Sequence, residues 1–96
     1  MQKELEYLSQ YVWWQDPKEL INSNLIRIVA AAMRYANDPK SMRVLRSLPE
    51  HLLKKAISQA QLGWFDKKSW SYWHYILNIV SISSPVPPLP KRGYMP

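Results

Sequence analysis

The sequence predicts an all-α fold, a compact bundle of about five short helices followed by an extended proline-rich C-terminal arm. Three observations carry this. Apolar residues recur at helical spacing along most of the chain, Asp-Pro pairs open two of those stretches, and five of the eight prolines lie beyond Ser84. The division falls near residue 80, giving a helical domain over 1–80 and an extended basic tail over 81–96.

Leu5, Leu8 and Val12 predict a first helix from Gln2 to about Tyr11 or Trp14, with Tyr7, Tyr11 and Trp14 widening its apolar side. Asp16-Pro17-Lys18-Glu19 has the form of a capped start: Asp16 accepts from a free N–H, Pro17 suits the first helical position and Glu19 stands at capping-box spacing. This start opens only a short turn. Asn22 and Ser23 offer a further cap before Leu25, Ile28, Val29, Ala32, Met33 and Ala36, an apolar stripe ending near Asn37.

Asp38-Pro39 caps a helix carrying Met42, Leu45 and Leu48, and Pro49 starts another in which Leu52, Leu53, Ala56, Ile57 and Ala60 share a face. Gly63 is the expected left-handed residue closing that helix. Asp66 caps the last one, from Lys67 to about Ile79, with Trp70, Trp73, His74 and Leu77 on its inner side. Aromatics of this size supply much of the burial of a small domain, so core packing is preferred over base stacking for the tryptophans. Tyr72 and Tyr75 point elsewhere on the same helix and are the candidates for a surface contact.

The chain of 96 residues carries a net charge of +6, unevenly placed. Residues 1–39 hold four cations against five carboxylates, a net −1, and residues 40–96 hold nine against two, a net +7. Such asymmetry fits an anionic partner, either an acidic protein surface or nucleic acid. Arg43, Arg46, Lys54 and Lys55 on the two central helices, with Lys67 and Lys68, are the candidate nucleic-acid contacts, in a helix-turn-helix-like arrangement. Pro49 in the turn, with no glycine, weakens that fit.

The absence of cysteine removes disulfides and thiolate metal sites and predicts a reducing, cytoplasmic location. No apolar run is long enough for a membrane span. His51 and His74 lie in different helices outside any two-ligand pattern, the three helix-opening aspartates are explained as caps, and no nucleophile elbow or phosphate loop occurs. A non-enzymatic protein without metal or cofactor is therefore expected. The tail, Pro87-Pro88-Leu89-Pro90-Lys91-Arg92, matches a Pro-x-x-Pro-x-Arg ligand pattern. Those six residues are the expected partner-binding arm, with little in them that a core would need; the other reading of the tail is a terminal arm lying on its own domain or disordered in solution.

Three segments, Trp13-Trp14-Gln15-Asp16-Pro17-Lys18-Glu19-Leu20, Gly63 through His74 and Pro87 through Arg92, together resemble the landmarks of small bacterial antitoxin-like proteins. These are encoded upstream of AbiEii/AbiGii-type nucleotidyltransferase toxins. The Asn22–Asn37 region departs from the pattern in being more hydrophobic and less acidic. The resemblance implies a protein that binds and neutralises such a toxin, with Trp70, Trp73 and His74 as scaffold and the basic arm entering a nucleotide-binding cleft.

Overall fold

The middle of the third helix is buried on every side. In the computed structural model, which describes residues 2–12, 16–80 and 85–90, the elements are α1 (Gln2–Leu8) running into a 3₁₀ turn (Ser9–Tyr11), α2 (Pro17–Ser23), α3 (Leu25–Tyr35), α4 (Pro39–Ser47), α5 (Glu50–Ser58) and α6 (Lys67–Ile76). No strand occurs among the described residues, so the fold is all-α as the helical spacing predicts. The short element after Asp16 is a helix in its own right. Trp13, Trp14 and Gln15 lie outside the described residues.

Every other described helix packs on α3. Ile26, Ile28, Val29, Ala30, Ala31, Ala32 and Met33 are all buried, which leaves no polar stripe at the middle of the helix. The sequence suggested one apolar face; the observed helix is apolar all round, the pattern of a core helix. Ala30, Ala31 and Ala32 have no side chain beyond Cβ, so neighbouring helices come close to the α3 backbone at these positions. Leu5 and Leu8 from α1, Leu45 from α4, Leu52, Leu53, Ala56 and Ile57 from α5, Trp70, Trp73 and Leu77 from α6 and its end, and Val12, Leu48 and Phe65 from the connections complete the core. Each large apolar side chain withdrawn from water contributes roughly 1.5–3 kcal/mol.

The three expected aspartate caps form. The Asp38 carboxylate accepts from the Ser41 N–H at 2.9 Å and Asp66 from the Ser69 N–H at 2.8 Å, each satisfying a donor the helix start leaves open. Asp16 accepts from the Lys18 N–H at 3.0 Å. Three boundaries differ from expectation. Ser23 belongs to α2, where its hydroxyl donates to the Glu19 carbonyl, so Asn24 takes the cap position of α3 without a side-chain bond.

Gly63 is left-handed, with φ 87°, but it lies beyond the end of α5 and turns the loop toward α6. The helix that closes on a left-handed residue is α6. Asn78 adopts φ 57°, the Ile79 N–H donates to the His74 carbonyl at 3.0 Å and the Asn78 N–H to Tyr75 at 3.1 Å. That pair of bonds is a Schellman closure with Asn in the place of Gly.

Trp73 fixes α6 to α3. The side chain is 1% exposed and its Nε1–H donates to the Met33 carbonyl at 2.9 Å. Trp73→Ala is expected to cost about 3–5 kcal/mol in urea unfolding, since it opens a cavity and removes a buried hydrogen bond. The caps set an acid dependence. Hydrogen bonds from the Ser41 N–H and hydroxyl hold the Asp38 carboxyl below its ordinary range, and the Ser69 hydroxyl and N–H do the same for Asp66.

A carboxyl depressed in the folded state adds stability above its unfolded pKa, near 3.9, and that stability is lost as pH falls through the folded value. The urea midpoint should therefore drop on acidification from about pH 5 to about pH 3. The drop should be smaller in Asp66→Asn.

Candidate interaction surface

A cluster resembling a catalytic arrangement proves to be a structural tie. Ser41 is fully buried, with the Tyr11 hydroxyl 2.7 Å and the Tyr7 hydroxyl 3.1 Å from its Oγ, and Tyr11 also donates to Asp38 Oδ1 at 3.2 Å. Burial pushes the Tyr11 phenol above its ordinary value. The Lys40 ammonium lies 5.1 Å over the Tyr7 ring. These bonds fasten α1 and its 3₁₀ turn to the capped start of α4, and the Ser41 hydroxyl has no open path to a substrate. Among the described residues no three His, Asp or Glu side chains are grouped so as to hold a metal ion. No described helix is long and apolar enough to cross a membrane.

An exposed group of large apolar side chains lies on α6 and just past its end. The inner side of the helix is filled as expected: Trp70, Trp73, His74 and Leu77 are buried. His74 donates from Nδ1 to the Trp70 carbonyl at 2.7 Å, with the two rings 4.4 Å apart, so it is a satisfied core histidine. The outer side carries Tyr72 and Tyr75, one turn apart and 41% and 38% exposed, with Ile79 exposed just past the helix end. Lys67 and Lys68 stand in the first turn, where the positive end of the helix dipole disfavours cations.

The proline-rich segment lies against its own domain. Trp70 donates from Nε1 to the Pro87 carbonyl at 2.8 Å, and Val86 and Leu89 are half-buried against the core. Pro87 and Pro88 are exposed; Leu89 and Pro90 are half-buried. Of the two readings of the tail, the described part fits an arm lying on its own domain, and the expectation that it adds little to the core is corrected. Trp70 is 6% exposed and needs an acceptor for its indole N–H, and a proline carbonyl serves as well as any other. Lys91 and Arg92 lie outside the described residues.

Two basic regions frame α6. On one side, Lys40, Arg43 and Arg46 of α4 and His51, Lys54 and Lys55 of α5 are all exposed, and Lys54 pairs with Glu50 at 2.9 Å. Arg46, Leu48, Glu50 and Leu53 line a cavity of about 100 Å³ together with Trp73, Ile76 and Leu77, which brings the end of α4, the start of α5 and the end of α6 to one place. It is far smaller than the few hundred cubic ångströms a cofactor occupies.

On the other side, Arg27 of α3 lies 4.8 Å over the Trp64 ring, and Arg34 donates to the Gly63 carbonyl and lies 4.9 Å over Tyr35. Sequence reasoning missed this pair of arginines. Their seven-residue spacing, which puts both on one side of α3, was the available signal. They hold the α5–α6 loop, with Phe65 buried behind it, leaving Tyr72 as the exposed ring of the aromatic stretch.

In comparisons with known proteins, neither a family model, nor a curated protein, nor a solved structure matches the chain. The docked arm makes a direct prediction. Ending the chain after Ser84 should lower stability by about 1–3 kcal/mol, through loss of the Trp70 acceptor and of the cover given by Val86 and Leu89. Trp70→Phe should cost about 1 kcal/mol in the full chain and less in the shortened one, a coupling read by a double-mutant cycle in urea.

Proposed function

We propose that this protein is a non-enzymatic interaction module that binds a partner protein through the outer face of α6. The observation carrying this reading is the second apolar side of that helix. Trp70, Trp73, His74 and Leu77 account for its inner packing, while Tyr72, whose ring meets that of Trp73 edge-on at 5.1 Å, Tyr75 and the adjoining Ile79 keep large apolar surface in water. Tyrosine suits such a contact, since a rigid ring buries much area at small entropic cost and its hydroxyl tolerates both wet and dry states.

The antitoxin-like role implied by the sequence resemblance fits this reading. In it the protein covers a nucleotidyltransferase-type toxin in the cytoplasm, with the basic arm meeting the carboxylates of a nucleotide-binding cleft. The docked Pro87–Pro90 segment leaves Pro87 and Pro88 exposed for a share in that contact, beside α6. The alternative, a helix-turn-helix-like nucleic-acid regulator, is favoured by the exposed cations of α4 and α5.

The test is calorimetric titration against the product of the adjacent gene. Tyr72→Ala and Tyr75→Ala should each leave the melting temperature within a few degrees of the parent and weaken binding at least about tenfold, or 1.4 kcal/mol. Unchanged dissociation constants in both variants would remove the partner from this face.

A further inference from the structure

We infer that the outer faces of α4 and α5 form one cationic surface that binds the phosphate backbone of a nucleic acid, separate from the tyrosine face of α6. Its charge is the first argument. Between Pro39 and Ser58 five Lys and Arg side chains stand against the single carboxylate of Glu50, so this stretch holds +4 of the chain's net +6. A face made only for solubility mixes both signs.

Placement is the second argument. Both helices turn their apolar residues, Leu45 on α4 and Leu52, Leu53, Ala56 and Ile57 on α5, into the core around α3, and the cations occupy what remains outward. The Leu48-Pro49 turn and the shared cavity bring the Arg46 end of α4 beside the Glu50 end of α5. Lys54 is held by Glu50, while Arg43, Arg46 and Lys55 have no carboxylate partner among the described residues.

The helices' own needs explain only part of this. Arg46 and Lys55 stand in last turns, where the helix dipole favours a cation. Arg43 lies in the middle of α4, where the dipole gives nothing, and Lys40 stands in its first turn, where the dipole opposes it and its contact with the Tyr7 ring gives a partial account of it. Lys40, Arg43, Arg46 and Lys55 are thus four exposed charges on two helices joined by the Leu48-Pro49 turn, a layout suited to phosphates. Guanidinium groups add two-pronged hydrogen bonds to phosphate oxygens. No base-reading side chain is assigned, so the binding is to the backbone and indifferent to sequence.

The experiment measures binding of fluorescein-labelled 20-mer duplex DNA and single-stranded RNA by anisotropy, from about 50 to about 200 mM salt, where four phosphate contacts give a log–log slope near −3 to −4 for duplex. Parent protein is compared with Arg43→Glu/Lys55→Glu and with Lys3→Glu/Lys18→Glu, two exposed cations on α1 and α2 that make the same change in net charge. The expected result is at least tenfold weaker binding by the first variant and less than twofold change in the second. Arg43→Gln/Lys55→Gln, which adds no negative charge, should agree with the first in direction, with melting temperatures unchanged throughout.

The duplex and RNA arms identify which phosphate source is preferred. Equal loss in the two Glu variants would reduce the effect to general attraction and overturn the assignment. So would no binding at the lowest salt. Polyglutamate binding as tightly as the oligonucleotides would give the surface to an acidic protein instead. Because Tyr72 and Tyr75 are unchanged in every variant, failure here leaves the partner-binding reading of α6 intact, and the converse holds.

Discussion

Burial of the middle of α3 on every side is the constraint on which the rest of the molecule depends. A helix whose middle turns are Ile28, Val29, Ala30, Ala31, Ala32 and Met33 has no side to show to water, so its neighbours must surround it. In a chain this short they are short helices, none of which is long enough to be stable alone. In consequence, each neighbour's position is set by its contact with α3. Trp73 makes the link to α6 directional, because its indole N–H reaches the Met33 carbonyl and fixes both the depth and the rotation of α6. Once that rotation is fixed, Tyr72 and Tyr75 must face outward.

The arm extends the same logic. An extended segment lying on a helix without a strand partner leaves its backbone N–H groups unsatisfied, and burial of those donors is costly. Pro85-Val86-Pro87-Pro88-Leu89-Pro90 has only two such donors, on Val86 and Leu89, yet keeps every carbonyl, one of which accepts from Trp70. A proline-rich stretch is therefore suited to cover an apolar helix face as well as to serve as a ligand. On this chain it does the first with Val86, Leu89 and the Pro87 carbonyl, and it still exposes Pro87 and Pro88.

Much of the fold was legible because its signals are local. Asp38 and Asp66 cap as their spacing to Ser41 and Ser69 allows, and Trp70, Trp73, His74 and Leu77 share a buried face as their helical positions require. The exposed character of Tyr72 and Tyr75 came from the same periodicity. The features that stayed hidden depend on contacts between distant residues. Nothing local distinguishes an arm that binds a partner from one that gives its Pro87 carbonyl to Trp70, and nothing local tells that Arg27 and Arg34 will hold the loop at Gly63 and Trp64. The Asn78 closure was missed because glycine, at Gly63, drew the expectation of a left-handed cap to another helix.

The central claim is that α6 is fixed to α3 as one unit, which is what commits its outer face to a partner. Native-state hydrogen exchange measured by NMR tests this most directly, since groups within one cooperative unit exchange only through a shared opening. The Trp73 indole N–H and the backbone N–H groups of Val29 to Met33 are predicted to be among the slowest in the molecule, with the same dependence on denaturant. Exchange of the Trp73 indole well ahead of those α3 amides would mean that α6 separates while α3 stays folded, and would contradict the account.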